Sequence, residues 1–508
     1  MNVNQRKTGA VLGYVLLFIK NGIALLFLPF MLRMLGQEEY GLYQLVGSLS
    51  AYLSVLDLGL SSTVTRYVAK YRTHGDRVGQ ERFVSLVFII YAVLAVLVIV
   101  AGMGLYRFLP ALFQRALTTK ELAKARTMFL LLVASASVTV LTNGFRGVCT
   151  AYERFVFLRL QDIAQILLRV VVLVILLSRG YGAVAIVVTD LVLNVLFAGL
   201  RIIYTSVRLR LHFSLQSAEW TLFSEVIGFA VFIFLNTIIN QIYWKTGNII
   251  LGVLTNTALV AVYSIGVQVS AIYLTFSTAI SSVLLPQTVT AVENHASGSD
   301  LTDLMIRMGR IQLLILGLIL TGFVSFGQEF ILLWVGSGYE AAFSVAFIVL
   351  VPLTIPLVQN VGIAILQAKN KHQFRSLAYL VCALLNVVIS IVLVPTVGIT
   401  GAAWGTAIGL TLGNIIVINI YYHRVIGLEI PRFFIELSQG ILPILLLMLA
   451  VGAGINRLWG ANSWLNLLAK ITAFALLYAV GMWTVGMNTY EKRLILPESV
   501  CAAFRRAD

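Results

Sequence analysis

The stretch "RMLGQEEYGLYQLVGSLSAYLSVLDLGLSS", residues 33–62, begins as a polar turn and continues as an apolar helix. This helix carries Ser50, Ser54, Asp57 and Ser61 at spacings of four, three and four, which place them on one helical face. A carboxylate on a stripe of hydroxyls within an apolar segment predicts a membrane helix with one side turned away from lipid.

The composition of the whole chain supports a membrane protein. It has 508 residues, of which 59% are hydrophobic and 11% are charged, and its mean hydropathy is +0.94. Soluble proteins carry about 25% charged residues, so most of this chain is expected to lie in lipid. The first apolar run contains Lys20 and has no A-x-A-like cleavage site, so we interpret it as a retained anchor and not a signal peptide.

Apolar segments recur along the chain at the length of roughly 20 residues that crosses a bilayer. We predict an all-α, polytopic integral membrane protein with about fourteen transmembrane helices. The predicted spans are residues 10–32, 41–65, 83–105, 127–150, 160–178, 182–206, 222–243, 252–285, 306–334, 341–366, 376–395, 399–422, 437–456 and 464–487.

The distribution of basic residues predicts the orientation of these spans. With the N-terminus inside, about 22 of the 36 Lys and Arg residues fall in cytoplasmic segments, which agrees with the positive-inside rule. We therefore expect both termini to be cytoplasmic and the protein to lie in the cell (inner or plasma) membrane. The outer loop at residues 107–126 is unusually basic. The cytoplasmic charges come without a nucleic-acid recognition motif, so no nucleic-acid partner is expected.

Two halves of the chain resemble each other. At an offset of 220 residues Tyr43 falls on Tyr263, and at 219 Gly182 falls on Gly401. An offset of six spans preserves orientation, which predicts two six-helix lobes related by a parallel pseudo-two-fold repeat, with a cavity between them. The predicted divisions are an N-terminal lobe, a C-terminal lobe, and two additional helices with a cytoplasmic tail, at residues 1–215, 216–433 and 434–508.

Ionisable residues within the predicted spans mark the candidate site, because such residues usually face a bundle interior or water. The cations suit an anionic head group such as a diphosphate, and the candidates are Lys20, Arg146, Arg169 and Arg201. Polar candidates for the cavity or for coupling to protons or sodium are Asp57, Asp190, Asn194, Asn236, Asn240 and Gln268. Structural alternatives remain: Arg146 and Arg201 could snorkel to the inner surface, and Asp57 could neutralise Lys20.

Several patterns that would indicate an enzyme are missing from the sequence. It has no GxxxxGK[ST] loop, and all five histidines fall in or beside predicted cytoplasmic loops. The three cysteines, Cys149, Cys382 and Cys501, are far apart and suggest neither a metal site nor a disulfide framework. Outer loops are short. We therefore expect a transporter without cofactor or metal.

Particular segments resemble a known family. The segments "LGQEEYGLYQLVGSLSAYLSVLDLGL" and "RYVAKY" are similar to the start of bacterial polysaccharide-export proteins and O-antigen (Wzx-type) flippases. These proteins belong to the multidrug/oligosaccharidyl-lipid/polysaccharide (MOP) exporter superfamily. The segments "VYSIGVQVSAIYLTFSTAISSVLLP" and "GITGAAWGTAIG" look like the corresponding second-half segments. The resemblance implies two six-helix lobes, alternating access and cavity-lining charges, to which Lys20 and Arg169 are matched.

The function that this resemblance implies is transfer of polyprenyl-diphosphate-linked oligosaccharide from the inner to the outer leaflet, for cell-surface polysaccharide. The expected partners are this lipid-linked substrate, membrane lipid, and a polysaccharide polymerase and glycosyltransferases. One alternative is a cation-coupled exporter of drugs or other small molecules on the same fold. An alternative of another class is a membrane-embedded glycan polymerase or ligase.

Overall fold

The computed structural model describes residues 4–114, 116–209, 223–293, 296–369, 371–460 and 463–495, and the side chains of some residues within these ranges are not described. All regular structure in these ranges is helical, as predicted. The α-helices are α1 Gln5–Leu53, α2 Leu60–Thr73, α3 Arg77–Phe113, α4 Thr119–Ala151, α5 Phe155–Ser178, α6 Ala183–Ile203, α7 Phe223–Leu254, α8 Thr257–Glu293, α9 Gly298–Val335, α10 Ala341–Val358, α11 Asn360–Ala368, α12 His372–Val397, α13 Ile399–Leu410, α14 Ile418–Tyr421, α15 Ile430–Ser438, α16 Ile441–Leu458, α17 Trp464–Gly481 and α18 Thr489–Ile495.

Twelve segments of the described residues are long and apolar enough to cross a membrane. Each overlaps one predicted span, except the first, residues 5–73, which is 69 residues long and overlaps two. The remaining predicted span, 222–243, falls on α7. The prediction of an all-helical polytopic membrane protein is confirmed, and the count of fourteen spans stays a prediction.

The first of these segments is interrupted twice. Gly36 has φ 76° and ψ 172°, which breaks α1 at the predicted polar turn between spans one and two. Glycine suits this position because a side chain with a Cβ rarely adopts that conformation. The second interruption follows Leu53, where a 3₁₀ turn at Ser54–Asp57 leads to two left-handed residues, Leu58 and Gly59, before α2 begins.

The chain forms two compact units, residues 1–264 and 265–508. In the first, α4 packs against α2, α3 and α6, while α1 packs against α4, α5 and α7. Glycine allows the closest of these approaches: a Cβ at Gly41 of α1 would overlap the carbonyl of Thr257. The predicted lobe boundary at residue 215 and the boundary at 433 stay predictions.

In the second unit, α9 packs against α10, α15, α16 and α17. The two helices predicted as a C-terminal addition, α16 and α17, share an apolar core with α9 that includes Phe326, Ile444 and Phe474. The rings of Phe326 and Phe474 meet edge to face at 5.3 Å. This core anchors the additional helices to α9.

Candidate functional site

Asp57 lies at the helix break in the second predicted span. The predicted continuous stripe is interrupted there: Ser50, Ser54 and Asp57 line one cleft, whereas Ser61 follows the left-handed residues and belongs to α2. The expectation of one four-residue face was therefore wrong for Ser61, because the break at Leu58 changes the helical register. The stripe ends where the helix does.

The cleft beside Asp57 has a volume of about 300 Å³ and is bounded on its other side by α4. Helix α4 contributes Ser135, Thr139 and Asn143 to its lining. The Asn143 amide Nδ2 donates to the Asp57 Oδ1 at 3.0 Å. The alternative in which Lys20 neutralises Asp57 does not match this geometry, because the hydrogen-bond partner of Asp57 is the neutral Asn143.

Arg169, the cation predicted near the membrane midplane, is held by a carboxylate from the next helix. Its Nε and Nη2 donate to the two oxygens of Asp190 at 2.5 and 3.0 Å, and Nη2 also donates to the Tyr43 hydroxyl at 3.4 Å. The side chains of Arg169 and Asp190 are 30% and 27% exposed. The positive charge of Arg169 is therefore largely balanced, although its Nη1 bonds to no residue that the structure describes.

Arg146 and Arg201 meet at one end of α4 and α6. Arg146 donates to both oxygens of Asp162 at 3.1 and 2.8 Å, and Arg201 is buried with its Nε donating to Gln161 at 3.2 Å. The two guanidinium groups interact electrostatically with each other. Arg159 approaches Asp162 to 4.0 Å. Three arginines therefore share one carboxylate, which leaves this cluster cationic.

The loop that follows α4 carries a further pair beside this cluster. Arg6 donates to Glu153 at 2.6 and 3.1 Å. This hydrogen bond and the positive charge of Arg6 lower the pKa of the Glu153 carboxyl. Glu153 therefore stays ionised at neutral pH and fixes the N-terminal end of α1 to this loop.

The remaining predicted residues are dispersed. Lys20 is exposed on α1 and bonds to none of the described residues. Asn194 donates to Ser135 and Thr139 across α4 and α6. Asn240 is exposed and donates to the carbonyl of Asn236 on its own helix, and Gln268 is half-buried on α8. The structure thus gathers Arg146 with Arg201 and Arg169 with Asp190, and it leaves Lys20 separate. Their role as a head-group site stays a prediction.

The second unit contains a neutral counterpart to the Asp57 contact. Ser277, the residue 220 positions after Asp57, accepts from the Asn360 amide at 2.9 Å and donates to Gln312 at 3.2 Å. Gln312 and Asn360 also donate to Ser281, at 2.7 and 3.1 Å. An asparagine from the fourth helix of each half thus binds the same position of the second helix. Sequence reasoning matched Ser277 to Asp57 but missed this asparagine, whose signal is an offset of 217 residues.

Two buried ion pairs were also missed. Arg310 is 7% exposed in its side chain, and all five of its donors are bonded: two to Glu491 and three to the carbonyls of Glu436, Gln439 and Gly486. Lys470 of α17 donates to Glu329 of α9 at 2.9 Å and is 1% exposed. Both pairs fix C-terminal helices to α9, and their partners are too distant in sequence for a spacing rule to reveal.

Cysteine and metal chemistry has little support in this architecture. Cys149 and Cys382 are buried free thiols, and Cys501 lies outside the described residues. In the ranges that the structure describes, no three His, Cys, Asp or Glu side chains form a group suited to a metal ion.

Comparison with known proteins identifies the family. Residues 8–292, more than half of the chain, match the family described as "Polysaccharide biosynthesis protein". The chain belongs to that family. It is similar to the uncharacterized membrane protein EpsK of Bacillus subtilis, with 23% identity over 492 residues that cover 92% of this chain and 93% of EpsK. A shorter match, 28% over 182 residues, relates it to the probable flippase AglR of Haloferax volcanii and covers 34% of this chain and 36% of AglR.

Solved structures place this family member in the MOP transporter fold. The lipid II flippase MurJ in an inward closed conformation matches with a TM-score of 0.67, 14% identity, and coverage of 87% of this chain and 95% of MurJ. An inward-facing multidrug resistance transporter of the MOP superfamily matches with a TM-score of 0.61 and 15% identity, over 82% of this chain and 98% of its own. The predicted family resemblance is confirmed, and the chain is a multi-pass membrane transporter and not an enzyme.

Proposed function

We propose that this transporter is a flippase for polyprenyl-diphosphate-linked oligosaccharide, which it moves from the inner to the outer leaflet by alternating access. We further propose that it lies in the cell membrane with both termini in the cytoplasm. The polysaccharide biosynthesis family and the fold shared with a lipid II flippase support this assignment. The observation that carries it is the excess of cations over carboxylates around Arg146 and Arg201.

That cluster is suited to a diphosphate. Arg201 bonds only a neutral amide through Nε, so its Nη1 and Nη2 donors have no partner among the described residues. Arg146 is bound to Asp162 through both Nη groups, and its side chain remains 38% exposed. Guanidinium groups bind phosphate oxygens in pairs of parallel hydrogen bonds. A diphosphate would relieve the repulsion between the two arginines, because its charge is opposite to theirs.

Lys20 and Arg169 have different parts in this proposal. Lys20 keeps all three ammonium donors free of described partners, so it can meet the head group directly. Arg169 can offer only Nη1, since Asp190 and Tyr43 occupy its other described bonds. We therefore assign direct head-group binding to Lys20, Arg146 and Arg201, and we regard the pair of Arg169 and Asp190 as a structural support of the same lobe.

Membrane potential favours this direction of transport. Moving one elementary charge through 100 mV is worth about 2.3 kcal/mol. A diphosphate that leaves a negative interior with about two charges would therefore gain several kcal/mol if those charges crossed unneutralised. This energy requires no nucleotide, in agreement with the absence of a P-loop motif from the sequence.

The alternatives fit the same residues less well. An exporter of cationic drugs would have to bind its substrate beside a cationic cluster. A glycan polymerase or ligase would need catalytic groups on a sizeable outer segment, and the predicted outer connection between α5 and α6 spans only residues 179–182. A polymerase and glycosyltransferases that act before or after the flippase remain proposed partners.

Binding of a fluorescent polyprenyl-diphosphate sugar to the purified protein tests the proposal. Arg201→Ala should weaken binding by about 10–100-fold, because a hydrogen bond to a charged group contributes roughly 1.5–3 kcal/mol. Arg179→Ala, which removes an exposed arginine at the far end of α5, is the matched control and should bind as the wild type does. Equal affinity of both variants for the diphosphate lipid would refute the head-group site.

A further inference from the structure

We propose that the helix break in the second predicted span is a binding site for a monovalent cation, a proton or Na⁺, held between the Asp57 carboxylate and the Tyr91 hydroxyl. This inference deepens the proposed function, on which only its role as the coupling site rests. Binding at the site can be measured without any lipid-linked sugar.

The first observation is that Asp57 lacks a cationic partner. In the described part of residues 4–209, the other carboxylates within predicted spans, Asp162 and Asp190, each bind an arginine through both oxygens. Asp57 accepts one hydrogen bond, from the neutral Asn143. A carboxylate within a bilayer is costly unless a counter-charge or proton neutralises it. Of the two residues predicted as coupling candidates, Asp57 is therefore the one that is free to exchange a cation.

The second, independent observation is an unpartnered hydroxyl beside this carboxylate. Tyr91 on α3 is 0% exposed, and its hydroxyl bonds to none of the described residues. It nevertheless lies close enough to Asp57 for the two groups to interact electrostatically. Buried hydroxyls are nearly always bonded, because an unpartnered one destabilises the fold. A protonated Asp57 could donate to this oxygen, and Na⁺ could accept lone pairs from both groups.

The surroundings of Asp57 favour a positive ion. The 3₁₀ turn that carries it packs against α1, α3, α4 and α7. Tyr91 comes from α3 and Asn143 from α4, while the nearest titratable candidates on α1 and α7, Tyr52 and Lys245, have no electrostatic interaction with Asp57. No described cation therefore competes for the carboxylate. The C-terminal end of α1 adds the partial negative charge of its macrodipole, and the cleft gives access to small ions.

The second unit shows the closed form of the same arrangement. Ser277 stands at the position of Asp57, and Gln312 of α9, the helix that corresponds to α3, bonds to it directly. Asn360 completes the network, so every member has a partner within the protein. The second unit thus satisfies this junction with neutral groups alone. The first unit has a carboxylate and a free hydroxyl in their place, which is the difference that a cation would fill.

Two measurements on the purified full-length protein test the site. Binding of radioactive Na⁺ is measured by scintillation proximity, and protonated carboxyl groups are followed by infrared difference spectroscopy as the pH rises from about 5 to about 9. The variants are Asp57→Asn, Tyr91→Phe and, as a matched control, Tyr273→Phe. Tyr273 is equally buried, but its hydroxyl is bonded to Thr354 in the second unit.

We expect one of two results. If the ion is Na⁺, Asp57→Asn abolishes binding and Tyr91→Phe weakens it by about tenfold, as expected for one lost oxygen contact to a charge. If it is a proton, a carboxyl band titrates in the wild type, disappears in Asp57→Asn and shifts in frequency in Tyr91→Phe. In both cases Tyr273→Phe behaves as the wild type.

Absence of both Na⁺ binding and a titrating Asp57 band would overturn the inference, as would a Tyr91→Phe variant that leaves the observed signal unchanged. These results would not affect the flippase proposal, which is tested by lipid binding and transfer. Conversely, a cation signal that depends on Asp57, in a protein that moves no lipid-linked sugar, would refute the flippase and keep the ion site.

Discussion

Replacing Arg169 by alanine should destabilise the protein through the carboxylate that it leaves behind. The pair of Arg169 and Asp190 is roughly 70% buried and makes two charge-assisted hydrogen bonds. Exposed pairs contribute about 0–1 kcal/mol, and breaking a fully buried pair costs about 3–5 kcal/mol. The intermediate burial places Arg169→Ala near 2 kcal/mol, which corresponds to a fall of about 4–8 °C in the unfolding midpoint of a unit this size.

The double variant Arg169→Ala with Asp190→Asn separates the structural role from head-group binding. We expect it to recover most of the lost stability, because no unpaired charge remains, and to recover transport with it. The assay combines thermal unfolding in detergent with transfer of lipid-linked sugar in vesicles. A double variant as unstable as Arg169→Ala would refute the ion-pair argument. Normal stability with no transport in both singles and the double would mean that Arg169 itself binds the head group.

Three further predictions concern the rest of the fold. Arg310→Ala should cost about 3–5 kcal/mol, because it strands a buried carboxylate, while Arg307→Ala, which removes only a cation–π contact, should cost less than about 1 kcal/mol. Both are measured by thermal unfolding, and equal losses would contradict the assignment. Gly41→Ala should lower the yield of folded protein, since its Cβ would overlap a backbone carbonyl, whereas Gly22→Ala on the same helix meets open space and should be tolerated. A reporter inserted in the 107–126 loop should be located outside the cell, and a cytoplasmic signal would show that the orientation is wrong.

The sequence predicted the fold class well because membrane helices are set by local hydropathy. It placed the turn that the structure centres on Gly36, and it singled out Asp57 from the spacing of its neighbours. The helix break after Leu53 was not predicted, although Gly59 is a local signal for it. Such a break depends on how the unwound segment packs against other helices, which no window of sequence contains.

The candidate site was predicted as residues but not as pairs. Periodicity showed that Arg169 and Asp190 each lie within a span, yet their contact joins two helices and depends on rotation about both axes. The same is true of Arg146 with Asp162, which are 16 residues apart across a loop. Charge counting therefore overestimated the free positive charge. Two of the four predicted cations are bound to carboxylates, and this moves the expected head-group contacts toward Lys20 and Arg201.

Transfer of a polyprenyl-diphosphate oligosaccharide between leaflets tests the central claim most directly. The purified protein is reconstituted into vesicles that carry a fluorescent form of this lipid, and a membrane-impermeant quencher reports the fraction in the outer leaflet over time. The account predicts protein-dependent transfer that is fast for the wild type, slowed in Lys20→Ala and Arg201→Ala, and unaffected in Arg179→Ala. Transfer no faster than in protein-free vesicles, from a folded protein tested in both orientations, would contradict it.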